Sequence, residues 1–185
     1  MEEIALHILD IVQNSIVACA NLISIEVEED YANDRLIIII VDNGKGIEKH
    51  LLDKVADPFY TKRTTRKVGL GLSLLKQSAE MAGGSFSIES EINKGTTVKA
   101  IYQHSHIDRQ PLGDIPQTIS ILVASNPDIN FTYKHKINNN SYYFDTRQIK
   151  EVLEEVPITS PEVRVFIHQM LKQNIDMLNR QFKEI

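Results

Sequence analysis

Cysteine is nearly missing: Cys19 is the single one in 185 residues. One thiol cannot close an intramolecular disulfide or build a cysteine zinc cage, which fits a reducing compartment. Positive charge is also in short supply. With 20 Lys and Arg against 25 Asp and Glu the net charge is −5, and affinity for a phosphate backbone needs a cationic surface, so nucleic acid is not the expected partner. Long apolar runs are lacking too. The longest are Leu36 to Val41 and Ile121 to Ala124, whereas a bilayer span needs roughly 20 residues. The first residues, Met1-Glu2-Glu3, are acidic where a secretory signal is basic, and no cleavage-like pattern follows them. These lacks predict a cytoplasmic chain without a membrane anchor. Repeats and low-complexity tracts are not evident either, so an ordinary folded domain is expected.

What is present divides near residue 104. Glu3 to Asn21 carries apolar residues at Ile4, Ile8, Ile11, Val12 and Ile16, the spacing of an amphipathic helix. Ile23 to Glu29 alternates apolar with polar or acidic residues, Arg35 to Val41 is almost continuously aliphatic, and Asn33-Asp34 marks a turn between them. That pattern predicts a hairpin whose second strand is buried on both faces. Gly44 and Gly46 break the strand, Glu48 to Val55 suits a short helix, and a basic, threonine-rich stretch runs from Thr61 to Lys67. Leu72, Leu74, Leu75 and Ala79 predict a second long helix over 71–81, closed by Gly83-Gly84. Ser85 to Ser90 and Thr96 to Tyr102 read as another hairpin turning at Asn93-Lys94-Gly95. Elements in this order give an α+β fold, a two-layer sandwich of one mixed or antiparallel sheet covered by helices.

A polar connector runs from His104 to Gly113. Beyond it, Asp114 and Pro116 look like a helix N-terminus ahead of Ile119 to Ala124, although that run alone suits a strand equally well. Phe131 to Ile137 and Tyr142 to Asp145 flank Asn138-Asn139-Asn140 as a hairpin, and Thr146 to Val156 and Pro161 to Phe182 read as closing helices. The predicted division is 1–103 for the main domain and 104–185 for a small α/β appendage, too thin in core to stand alone. Three roles stay open for the appendage: a dimerisation surface giving a homodimer, a dock for another protein, or a cover for a sheet edge.

Three weak signals carry chemistry. On the first helix Asp10 and Asn14 are four apart, with His7 three residues earlier, so carboxylate, amide and imidazole share one face. A solvated polar stripe gives the same pattern, and His7 reads more readily as structural than as a ligand contact. Asp42 ends the aliphatic strand ahead of Gly44 and Gly46. A carboxylate there can accept from an exocyclic amine while the glycines let a planar ring approach the backbone, yet Asp-Asn-Gly is also a common turn. Finally, Gly69-Leu70-Gly71-Leu72 stands immediately before a helix and after Lys62, Arg63, Arg66 and Lys67, with Lys54 further upstream. Helix N-terminal amides and nearby cations suit phosphate. The segment is neither a P-loop, which ends Gly-Lys-Ser/Thr, nor the dinucleotide fingerprint.

Taken in order, the segments His7 to Ser15, Asp42-Asn43-Gly44-Lys45-Gly46-Ile47, Asp57-Pro58-Phe59-Tyr60-Thr61-Lys62, Gly69-Leu70-Gly71-Leu72-Ser73 and Gly95-Thr96-Thr97 resemble the GHKL ATPase superfamily of gyrase, histidine kinases and MutL. The resemblance covers residues 1 to about 103 and leaves the rest of the chain unmatched. It implies a Bergerat-type fold that binds Mg-ATP. Asn14 matches the asparagine that holds Mg²⁺, and Asp42 the aspartate that recognises the adenine amino group. Gly44 and Gly46 shape that wall, and Thr96 matches the threonine supporting the same contact through water. Phe59 to Lys67 resembles the mobile lid, with Lys62 facing the phosphates and the amides of Gly69, Leu70 and Gly71 bracketing them beside Leu72. Asp10 is the departure. Hydrolysing branches carry glutamate there and histidine kinases usually asparagine, so three roles stay open for the aspartate: general base, indirect support of magnesium, and polar filler.

The chain begins almost at the first box, so the helical hairpin bearing a histidine kinase's own phosphoacceptor is not expected ahead of it. His104, His106, His135 and His168 lack the His-Glu/Asp context of a phosphoacceptor. His104 and His106, two apart without further ligands in view, read as solvent-facing rather than as zinc ligands. The resemblance therefore implies a stand-alone signalling ATPase or protein kinase acting on a separate protein partner or phosphoacceptor. The alternative is an ATP-gated protein-binding switch with little or no turnover.

Overall fold

The structure is a computed structural model that describes residues 3–55 and 70–183. The chain runs α1 (Ile4–Val17), β1 (Leu22–Asp30), β2 (Arg35–Asp42), α2 (Lys49–Val55), α3 (Leu70–Met81), β3 (Ser85–Glu91), β4 (Gly95–Gln103), α4 (Ile115–Ser125), β5 (Asn130–Ile137), β6 (Asn140–Asp145), α5 (Thr146–Leu153) and α6 (Pro161–Lys183). Six strands form one sheet in the order β3-β4-β2-β1-β5-β6. Every neighbouring pair is antiparallel except β1 with β5. The sheet is thus mixed, as the sequence predicts, and helices cover one face of it.

Period-two burial decides which face. Ile23, Ile25 and Val27 of β1, Leu36, Ile38 and Ile40 of β2, and Val98, Ala100 and Tyr102 of β4 all point into the helical layer and are buried. Ile4, Ile8, Ile11 and Val12 of α1 and Leu75 and Ala79 of α3 meet them. Each fully buried isoleucine contributes roughly 2 kcal/mol. The other face of β2 departs from expectation: Ile37 and Ile39 are half-buried and Val41 is exposed. The aliphatic run covers only one layer because the neighbours of β2 are antiparallel and, among the described residues, no helix closes the second face.

Turn chemistry explains most boundaries. The helix expected to Asn21 stops at Val17, where Cys19 takes a left-handed φ of 60° and the Ala20 N–H returns to the Ser15 carbonyl. Asp34, Asn93 and Asn138 take the left-handed positions of the three hairpin turns, as their short polar side chains allow. The ambiguous run after Asp114 is a helix, α4, with Asp114 accepting from the Gln117 N–H at 2.8 Å and Pro116 in its first turn. α5 is capped likewise by Asp145.

The C-terminal region joins the same sheet. β5 lies parallel to β1 in a register that sets Glu26 against Lys134 and Glu28 against Lys136, with ion pairs of 2.7 and 2.6 Å. Partly exposed pairs of this kind add little stability in water, yet a one-residue slip breaks both. β5 thereby removes the free edge of β1, and β6 becomes the outer strand. No helix among the described residues is long and apolar enough to cross a membrane.

Candidate nucleotide site

At the Asp42 end of the sheet, three strands place Ser90, Thr96 and Asp42 in one inward-facing row, since Ser90 pairs with Thr96 and Thr96 with Asp42. A cavity of about 170 Å³ opens in front of this row. That is room for a ring-sized ligand rather than for an ordered water or two. Ile11, Leu72, Ile88 and Val98 give it apolar walls, and Asn14, Ser15, Asp42 and Thr96 give it polar atoms. Asp42 is 9% exposed. Its carboxylate accepts from the Ser15 hydroxyl at 2.7 Å and from the Gly44 N–H at 2.8 Å, one bond to each oxygen. A carboxylate offers about four acceptor positions, so lone pairs remain for a ligand.

Asn14 is half-buried on the cavity wall, and its side chain makes no hydrogen bond to other described residues. Gly46, at φ 68°, lets the loop after β2 press against the Glu91 carbonyl, where a Cβ would collide with backbone. The same loop is tied down by its amides: the Lys45 N–H reaches the Ala18 carbonyl at 2.9 Å and the Ile47 N–H the Ser90 hydroxyl at 2.8 Å.

The structure brings Asn14, Asp42, Gly46, Leu72 and Thr96 around one cavity. Gly44 stands just behind it, packed on Ala18. Leu70 and Gly71 lie in the first turn of α3, whose amides carry the positive end of the helix dipole. Asp10 does not line the cavity. It is exposed on α1 beside Gly71, where an added Cβ would stand 3.1 Å from its own Cβ, so the carboxylate lies next to the N-terminus of α3. Lys62, Gly69 and the stretch Phe59 to Lys67 lie outside the described residues. His7 is buried and bonded to Gln110 through Nε2 at 2.9 Å, and burial lowers its pKa despite that bond, as befits a structural imidazole.

Residues 2–105, more than half of the chain, match the family described as "Histidine kinase-, DNA gyrase B-, and HSP90-like ATPase". The chain belongs to this family. A 64-residue stretch is 45% identical to Sporulation kinase D of Bacillus subtilis (strain 168), covering 35% of this chain and 12% of that protein. Another of 83 residues is 41% identical to Signal transduction histidine-protein kinase ArlS of Staphylococcus aureus (strain USA300), covering 42% of this chain and 18% of that one. The chain thus spans less than a fifth of these relatives. In fold it resembles a crystal structure of the N-terminal domain of a DNA repair protein, at a TM-score of 0.58 and 20% identity. That match covers 85% of this chain and 59% of the other, so the shared architecture extends past the family segment.

Two polar residues of the site were not singled out from the sequence. Ser15 falls within the buried stripe Ile4, Ile8, Ile11 of α1, and a polar residue in an apolar stripe is itself a signal. Ser90 follows Phe86 and Ile88 on the inward face of β3 and carries the same mark. Each bonds to residues of another element, which local pattern does not name.

Proposed function

We propose that the cavity takes the adenine of Mg-ATP and that the chain is a signalling ATPase or protein kinase acting on a separate protein. The observation that carries this is Asp42: a buried carboxylate at the closed end of an apolar cavity, held from behind and left with acceptor capacity facing the ligand. An exocyclic amino group satisfies such an acceptor, and an aromatic ring fills the apolar walls. The phosphates would then lie toward the first turn of α3.

The donor set suits magnesium. Among the described residues no group of three or more His, Cys, Asp or Glu could hold a metal ion, and Mg²⁺ takes one or two protein oxygens together with phosphate and water. The Asn14 amide oxygen would be that protein ligand, and the ion would supply charge neutralisation at the phosphates. Asp10, beside Gly71, would orient the attacking nucleophile and take its proton. The γ-phosphoryl group would leave ADP and bond to a histidine or serine of the partner, or to water. Family membership and the two kinase relatives support this reading.

With γ-labelled ATP, the protein should bind nucleotide in a Mg²⁺-dependent way and pass label to a protein in lysate or release it as phosphate. Asp10→Asn should keep ATP affinity and lose turnover; unchanged turnover refutes its role. Failure of the wild type to bind ATP at millimolar concentration refutes the reading as a whole.

One observation favours an ATP-gated switch instead. Asn43, next to Asp42, accepts from the Asn21 and Leu22 N–H groups at 3.0 Å, and the Asn130 N–H at the start of β5 donates to the Asn21 carbonyl at 2.9 Å. A short bonded path thus joins the site to the C-terminal strands. Tight Mg²⁺-dependent ATP binding without release or transfer of phosphate selects this second reading.

A further inference from the structure

Ser90 stands behind the cavity wall, and its hydroxyl makes three contacts. It accepts from the Ile47 N–H at 2.8 Å, donates to the Gly95 carbonyl at 2.8 Å, and lies 2.9 Å from Thr96 Oγ1. A serine hydroxyl has one proton and two lone pairs. The Gly95 carbonyl can only accept, so it takes the proton, and the Ile47 amide can only donate, so it takes one lone pair. The bond to Thr96 therefore runs from Thr96 to Ser90. Thr96 spends its own proton on Ser90 and shows the cavity only lone pairs. Asp42 beside it does the same, since Ser15 and Gly44 already supply donors to both carboxylate oxygens.

We infer that Ser90 is a positioning residue that fixes the hydrogen-bond polarity of Thr96, making this wall accept-only and selecting a ring that presents an amino group over one that presents a carbonyl. This rests on the nucleotide reading of the cavity and names the residue that sharpens its base selectivity. In direct contact with the row a 6-amino purine donates to it, whereas a 6-oxo purine sets its carbonyl against two acceptors. Without Ser90, the Thr96 hydroxyl is free to turn its proton into the cavity and meet a carbonyl.

Calorimetric affinities for Mg-ATP and Mg-ITP, the 6-oxo analogue, test this on the full chain. The wild type should prefer ATP. Ser90→Ala should narrow the ATP-to-ITP ratio by about tenfold, the scale of one reoriented hydrogen bond. Ser90→Thr, which keeps the hydroxyl, should restore it. In a Thr96→Val background Ser90→Ala should leave the ratio unchanged, because the group it orients is gone. Should Ser90→Ala not fold, Ser90→Cys, of similar size but with only a weak hydrogen-bonding group, is read in its place. Equal loss of both nucleotides at constant ratio overturns the role of Ser90 while leaving nucleotide binding intact. A wild type that binds ATP and ITP equally also overturns it. A wild type that binds neither sinks the nucleotide reading, and this inference with it.

Discussion

Asp42 and Glu29 are inward-facing carboxylates on adjacent antiparallel strands, at opposite ends of the sheet: Asp42 pairs with Ile23, and Glu29 with Leu36. Both are less than a tenth exposed. Their surroundings differ in one respect. Asp42 receives two bonds and fronts a cavity. Glu29 receives three, from His135 Nε2 at 2.9 Å, His104 Nε2 at 3.1 Å and the Tyr31 hydroxyl at 3.1 Å, while Tyr133 closes the far side of His135 at 2.6 Å. A buried acid serves as a site where much of its hydrogen-bonding capacity faces a cavity, and as a strut where most of it is spent on neighbouring side chains. The strut has a location that matters: it joins β1, β5 and the connector after β4, so it fastens the C-terminal region to the sheet.

The largest effect should come from breaking the more heavily bonded end. Glu29→Ala strands two imidazoles and a phenol, and removing one member of a buried charged network costs about 3 kcal/mol. Urea unfolding should show that loss, while the folded fraction binds ATP as before. Equal damage to nucleotide affinity would erase the distinction between strut and site. Acid tests the same group. Burial by itself raises the Glu29 pKa, but the bonds from His135, His104 and Tyr31 and the charge of His135 outweigh it and bring the value down to about 2, against 4.5 for a free side chain. Because the folded pKa is depressed, the unfolded chain binds the extra proton. The stabilisation is therefore complete above about pH 4.5 and is lost as pH falls toward 2. Glu29→Gln should flatten the fall in unfolding free energy within that window.

The unsaturated end should respond in the opposite sense, in ligand rather than in stability. Asp42→Asn turns part of the accept-only wall into a donor and should weaken ATP by about thirtyfold, the worth of a hydrogen bond to a charged group. Free triphosphate lacks the base and should lose far less. Equal loss of both ligands would place Asp42 with the phosphates instead.

These contrasts also mark what the sequence showed. Period and turn chemistry placed the hairpins and most of the helices, because 3.6 and 2 are local properties of the chain, but left the run that became α4 open between helix and strand. Asp42 and Asn14 stood out only as members of ordered boxes. Glu29 shares the inward parity of Ile23, Ile25 and Val27, but its histidine partners sit 75 and 106 residues away and no local pattern names them. The expectation that His104 faces solvent fails for that reason, as the ring turns onto Glu29 and Tyr31 with its side chain only 14% exposed. His106 keeps a local role, accepting from the Asp108 N–H. The parallel pairing of β5 with β1 was equally hidden, since strand order depends on which edge is free once the first four strands have assembled.

The smallest predicted effect is the most discriminating. Ser15→Ala removes one of the two donors behind Asp42 and leaves the carboxylate, the cavity walls and the Gly44 bond in place. Ser15 is 3% exposed and its one proton is shared between Asp42 and, more distantly, the Ile11 carbonyl at 3.4 Å; alanine removes the donor itself and strands none, so stability should change little. ATP affinity should fall about fivefold, the share of one neutral donor that orients a charged acceptor. If the same substitution instead destabilised the fold by as much as the loss of Glu29 while leaving ATP affinity untouched, Ser15 would belong to a second strut. The site end of the sheet would then be no more open than the other.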